Sequence, residues 1–218
     1  MSKVSLVVPS RLKSWIIGGV SLILFLYFVP LFSIVSLQDA QQKSLAANFN
    51  AATYIESFWQ GELQDAMVNA VNAEELLQAI ARDPAEAAER FGHRLGLSSK
   101  VAYFVKGQGR IVSIEDGVIN LSLNESRSIS ISIDTGPVFG NAVRDGSGEF
   151  DIGNFGNTQD FNALSQEINQ RIETTVFPYL HKDATVGTAI HFVGGVEVND
   201  YDAPPFELKI VPVFAEVL

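Results

Sequence analysis

The stretch VAYFVKGQGRIVSIEDGVINLSLNESRSISISIDTGP, residues 101–137, carries apolar side chains at alternate positions. Val101, Tyr103 and Val105 lead, followed by Ile111, Val112 and Ile114, by Val118, Ile119, Leu121 and Leu123, and by Ile129, Ile131 and Ile133. β-Branched and aromatic residues at a period of two build strands with one face toward a core. Gly107-Gln-Gly109, Glu115-Asp-Gly117 and Asn124-Glu-Ser126 supply turn chemistry between these runs, so the local expectation is a meander. Asp134-Thr-Gly-Pro137 ends it and opens a glycine-rich stretch through Gly156.

Beyond that stretch the period changes. Phe161, Leu164, Ile168 and Ile172 share one face of a helix expected from about Asp160 to Val176, with Pro178 at its end. Two further strands are expected, Val186 to Val198 and Phe206 to Val217. Strands, one helix and two closing strands give an α+β fold, a small antiparallel OB-like β-barrel with one inserted helix, over residues 99–218.

Upstream, Leu45, Phe49, Ala52, Trp59, Leu63 and Met67 recur at helical spacings, so Asp39 to about Val71 reads as a long amphipathic helix. Asn72 with Glu75 forms a capping pattern for a helix through Ile80, and Asp83-Pro84 with Glu86 starts another toward Phe91. Residues 39–98 are therefore expected to form a helical stalk. From Ser14 to Gln38 there is no charge, and a helix of that length reaches roughly 37 Å, enough to cross a hydrocarbon layer of about 30 Å. Lys3, Arg11 and Lys13 precede it, which places residues 1–13 in the cytoplasm and everything after the span outside. The rival, a cleaved secretory signal, normally has an apolar run of about 7–15 residues, shorter than this one. The expectation is a single-pass signal-anchor, residues 14–38, in the inner membrane, with a periplasmic C-terminal domain.

Charge and composition exclude several function classes. The chain has 15 bases against 25 acids, three of the bases ahead of the first acid, so the outer part is strongly acidic. Duplex nucleic acid draws its affinity for proteins largely from phosphate neutralisation and is excluded as a partner. With no cysteine there is no disulfide, thiolate metal site, thiol nucleophile or acylated cysteine.

Gly136-Pro137-Val-Phe-Gly140-Asn-Ala-Val-Arg144-Asp145, followed by Phe150, Phe155 and Asn157, together with Tyr54, Trp59 and Leu76-Leu77-Gln-Ala-Ile80, resembles the bacterial family of predicted periplasmic lipoproteins called domain of unknown function 2291. The resemblance runs from about Tyr54 to the C-terminus. It implies a secreted, membrane-tethered barrel domain, often encoded beside sugar-type ABC transporters, with no established activity. The chain departs from the pattern in lacking the lipobox cysteine, so its tether would be the apolar helix.

Few residues carry a chemical signature. Arg144 beside Asp145 suits a bidentate clamp for a carboxylate or sugar hydroxyls, against the plainer reading of an internal ion pair; Asn157 joins them as a ligand-binding candidate. Asp145, Glu149 and Asp151 alternate like the first half of a calcium loop, but Phe150 and Gly156 stand where glycine and glutamate are needed, so a polar hairpin turn is expected and no metal. The same three acids are the candidates for a carbohydrate- or peptidoglycan-processing hydrolase. Ser147 lacks a nucleophile-elbow motif, and His93, His181 and His191 lack metal-ligand spacing. No cofactor and no catalytic residue is indicated. Phe58 and Trp59 are the candidates for contact with a partner, either the chain's own barrel or an ABC transporter subunit or sugar-binding protein. The expected function is that of a non-enzymatic accessory protein; the alternatives are the hydrolase and a purely structural envelope protein.

Overall fold

In the computed structural model, residues 49–96, 98–123, 131–199 and 207–218 are described. The expected membrane span, the first part of the long helix and the Asn124-Glu-Ser126 turn lie outside them. Among the described residues no helix is long and apolar enough to cross a membrane.

Asn50 starts the first helix, α1 (Ala51–Gln60), its side chain accepting from the Thr53 amide at 3.0 Å. The single long helix expected up to Val71 is interrupted at Gly61, and α2 (Glu62–Asn69) continues separately. Glycine is the weakest helix former after proline, which makes this the natural breaking point. A two-residue strand β1 (Val71–Asn72) follows, then α3 (Ala73–Arg82), α4 (Pro84–Phe91) and a second short strand β2 (Gly92–His93). The anticipated caps form: Asn72 Oδ1 accepts from Glu74 N at 2.9 Å, and Asp83 Oδ1 from Ala85 N at 2.9 Å.

These helices are part of the body, which corrects the stalk expectation. Ile55, Phe58, Leu63, Leu76 and Ile80 belong to one apolar cluster with the strand residues Tyr103, Val105, Ile119, Leu121 and Phe192. All the described residues fall within one compact unit, Leu45–Leu218. On the helix surface Arg171 donates to Glu56 at 2.6 Å and its guanidinium lies 5.1 Å from the centre of the Trp59 ring. The hydrogen bond from Arg171, seconded by one from Gln60, holds the Glu56 carboxyl below the ordinary carboxylate range. A carboxyl depressed on folding contributes stability that is present above its unfolded value and lost as the pH falls through its folded one. Arg171→Ala is therefore expected to move the Glu56 titration upward toward the ordinary range; an unmoved carboxyl resonance in an NMR pH titration would contradict the pairing.

The long strand β3 (Lys100–Glu115) organises the sheet. It pairs antiparallel with β6 (Ala189–Asn199) from Lys100 to Arg110, and with β4 (Val118–Ser122) from Arg110 to Glu115. β4 pairs antiparallel with β5 (Ile131–Asp134), β5 pairs parallel with β7 (Leu208–Val217), and β7 pairs antiparallel with β6. The ladder thus returns to β3 after five strands. The β5–β7 pairing, and that of β1 with β3, correct the purely antiparallel expectation.

Two local readings also change. Gly107-Gln-Gly109 is not a turn but the middle of β3: a side chain at Gly107 would meet the Phe192 ring of the neighbouring strand at 2.8 Å. Glycine there admits an aromatic ring across the ladder. Asp116-Gly117 is the expected hairpin, both residues at positive φ, 51° and 81°. Val101 to Val105 are buried without alternation because α3 and the short helix α5 (Ala142–Ser147) pack on β3.

Between β5 and β6 lie α5, a 3-10 turn (Ile152–Asn154), α6 (Thr158–Thr175) and α7 (Phe177–Asp183). The predicted face of α6, Phe161, Leu164, Ile168 and Ile172, is fully buried. Pro178 does not end α6 but sits in the first turn of α7, where its missing N–H costs nothing.

Candidate functional site

The segment Asp145–Asp151, expected as a polar hairpin turn, is helical through Ser147 and leaves α5 at Gly148, φ 74°. Five of the six α5 residues are buried. The helix can lie this close to the sheet because each contact has a glycine on one side: a side chain at Gly146 would meet the Tyr103 carbonyl oxygen at 2.6 Å, and one at Gly195 on β6 would overlap the Ala142 carbonyl. This docking carries Arg144 inward.

Arg144 is 2% exposed. Its Nε donates to Asp145 Oδ1 at 2.7 Å, and its Nη1 donates to the Phe161 carbonyl at 3.2 Å and to Asn162 Oδ1 at 3.3 Å. The guanidinium carbon lies 3.9 Å from the centre of the Phe161 ring. A cation so far from water needs this combination of carboxylate, carbonyl and aromatic face. Arg144 and Asp145 are therefore an internal pair joining α5 to α6, and the guanidinium offers no open fork to a ligand.

What Arg144 does to α6 is more informative. The Phe161 carbonyl already accepts the helical bond from the amide four residues on, that of Ser165, and Arg144 takes its second lone pair. A serine inside a helix can return its hydroxyl to that same carbonyl. Here that acceptor is already used twice, and among the described residues Ser165 Oγ is buried with no hydrogen-bond partner, the residue being 5% exposed.

Ser165 lines a groove of about 440 Å³ between α6 and the loop before α5. The loop contributes Val138, Phe139, Gly140 and Asn141; the helix contributes Asn162, Ser165, Gln166, Asn169, Gln170 and Glu173. Two hydrogen bonds tie the loop to the helix: Glu173 Oε1 accepts from Val138 N at 2.6 Å, and Asn169 Nδ2 donates to the Gly140 carbonyl at 3.0 Å. Gly140 takes φ 94°, a conformation that suits glycine, and this bend brings its carbonyl to Asn169. Phe139 is left 84% exposed at the rim. Among the described lining residues only Glu173 is charged, and the open surface of the groove is more apolar than polar, with the side-chain amides of α6 set along it.

The other candidates are dispersed. Asn157 caps α6, accepting from Asp160 N and donating to Asp160 Oδ2, both at 2.8 Å. Asp151 caps the 3-10 turn through Gly153 N at 2.8 Å. Glu149 is exposed and lines a second cleft of about 210 Å³ with His93, Arg90 and Ser147. Among the described residues no three or more His, Cys, Asp or Glu come together as a metal site would require. Phe58 lies inside, 2% exposed, with its ring centre 4.7 Å from that of Phe150, which removes it as a partner contact; Trp59 is partly buried beside Arg171. Phe49, Tyr54, Phe155 and Phe161 extend this aromatic cluster around the start of α1, with Tyr54 and Phe155 ring centres 5.6 Å apart. Sequence reasoning missed Ser165 and the α6 amides. Asn162, Gln166, Asn169, Gln170 and Glu173 do recur at spacings of three and four, but an uncharged polar helix face ordinarily means solvent.

A crystal structure of an OB-fold protein from Thermotoga maritima MSB8 is similar to this chain at 24% identity and a TM-score of 0.69, covering 78% of this chain and 99% of that one. At that identity the likeness establishes the fold alone, α+β with an OB-fold neighbour. No curated protein matches the chain. The model of domain of unknown function 2291, described as a predicted periplasmic lipoprotein, matches residues 22–216. With nearly the whole chain so matched, the protein belongs to the family of predicted periplasmic lipoproteins of domain of unknown function 2291.

Proposed function

We propose that the protein is a membrane-tethered accessory module of the periplasm that acts by binding, with the groove against α6 as its recognition site. The observation that carries this reading is the groove itself, about 440 Å³, where the side-chain amides of Asn162, Gln166 and Gln170 stand beside the exposed ring of Phe139. The acids offered for hydrolysis have structural roles at Asp145 and Asp151, which favours binding over bond cleavage. The cyclic ladder of β3, β4, β5, β7 and β6 supports a closed OB-type barrel as the rigid base on which α6 sits. The uncharged stretch 14–38, flanked by Lys3, Arg11 and Lys13, supports an inner-membrane tether with the module outside. A component of a sugar-type ABC transporter is the partner class proposed for it.

Thermal unfolding of the full chain, in a detergent without a sugar headgroup, tests the binding reading against a panel of neutral solutes, amino acids, peptides and organic ions. A ligand at a hundredfold excess over its Kd adds about 2.7 kcal/mol, or roughly 5–10 °C for a chain of this size. One class is expected to give such a shift and to lose it in the Gln166→Ala variant. No shift from any class would remove the reading. Ser165→Ala is expected to raise the stability of the unliganded protein by about 1 kcal/mol, because it deletes an unsatisfied group. A loss of 1 kcal/mol in urea unfolding would show that the hydroxyl is satisfied internally.

A further inference from the structure

We infer that the α6 groove takes a neutral, hydroxyl-rich ligand of mono- or disaccharide size, an assignment that rests on the groove being the recognition site. Among the described residues no Lys, Arg or His lines it, so an anion would find no counter-charge there. Its one acid, Glu173, already accepts from the Val138 amide, which leaves little with which to hold a cation. Each side-chain amide offers donors and an acceptor in one plane, and a hydroxyl is at once donor and acceptor, so Asn162, Gln166 and Gln170 match a hydroxyl-bearing ring better than any ion. Phe139, exposed on the loop, supplies the apolar surface on which the C–H face of a sugar ring rests.

Size and shape narrow the class. The groove volume lies within the range of about 300–1,000 Å³ typical of small-molecule pockets. An extended peptide could also use the amides, but the ties at Val138–Glu173 and Gly140–Asn169 bridge loop and helix. They leave the α6 segment from Asn162 up to the tie at Asn169, about 10 Å, as the length available, which suits a compact ligand. Arg144 is then a positioning residue behind the wall: it engages Asn162 Oδ1, leaving the side-chain amide nitrogen of Asn162 uncommitted to that contact.

Saturation-transfer NMR on the full chain, in a detergent without a sugar headgroup, tests the assignment with glucose, galactose, ribose and maltose beside tri-alanine, galacturonate and choline. Transfer to at least one neutral sugar is expected, weakened about tenfold in Gln166→Ala and in Phe139→Ala, both exposed positions whose loss leaves the core intact. Transfer to tri-alanine, galacturonate or choline but not to the sugars, abolished by the same variants, would overturn the saccharide assignment and leave the binding reading standing. Transfer to none would overturn both. Sugar binding indifferent to both variants would place the ligand elsewhere and likewise overturn the assignment.

Discussion

Arg144→Ala is expected to cost about 3–5 kcal/mol, the range found when one partner of a buried ion pair is removed. Three losses coincide. The Asp145 carboxylate, largely enclosed, keeps its charge without its guanidinium. The second lone pair of the Phe161 carbonyl and the Asn162 oxygen lose their donor, and the Phe161 ring loses the cation stacked on it. The melting temperature should fall by on the order of 10 °C. Arg144→Lys should recover little, because an ammonium cannot reach Asp145 through one nitrogen and Phe161 through another while lying flat on a ring. Urea unfolding measures this, and a cost under 1 kcal/mol for Arg144→Ala would mean that the side chain is not held as described.

Gly195→Ala is expected to cost about 3 kcal/mol or more, or to prevent folding, for a reason that has nothing to do with charge. The added methyl group would overlap the Ala142 carbonyl and crowd the Val143 amide, which are backbone atoms and have no rotamer in which to retreat. α5 would have to lift from β6, and Arg144 would rise with it. Gly146→Ala meets the Tyr103 carbonyl on the other side of the same contact and should behave alike. Thermal unfolding of either variant within 1 °C of the parent would show that α5 does not dock on the sheet backbone.

Much of the fold was legible because its signals are local. The Asp116-Gly117 hairpin, the Asn72 and Asp83 caps and the buried face of α6 each follow from residues a few positions apart. What failed depended on partners distant in the chain. Gly107-Gln-Gly109 resembles a turn until Phe192 is placed across from it, and residues 142–147 resemble a polar loop until Gly195 is found beneath them. The parallel pairing of β5 with β7 has no signature in either strand alone. The helices before β3 were read as a stalk because an amphipathic pattern shows that one face is covered, not what covers it.

The candidate site was less legible than the fold. Arg144–Asp145 was recognisable as a pair, but its burial turns it from a ligand clamp into the support of α6. Ser165 carries no motif. Its exceptional state comes from a hydrogen bond made by another residue to a carbonyl one turn earlier, which is a property of the packed structure.

The proposed recognition surface lies where α6 faces the Val138–Asn141 loop. Following the side-chain amide resonances of Asn162, Gln166, Asn169 and Gln170 in the full chain during a glucose and maltose titration tests it most directly. Saturable shifts of these amides together with the backbone amides of Phe139 and Gly140 are expected, while β4 and β5 stay still; shifts confined to the strands, or none anywhere, would rule out recognition at this surface.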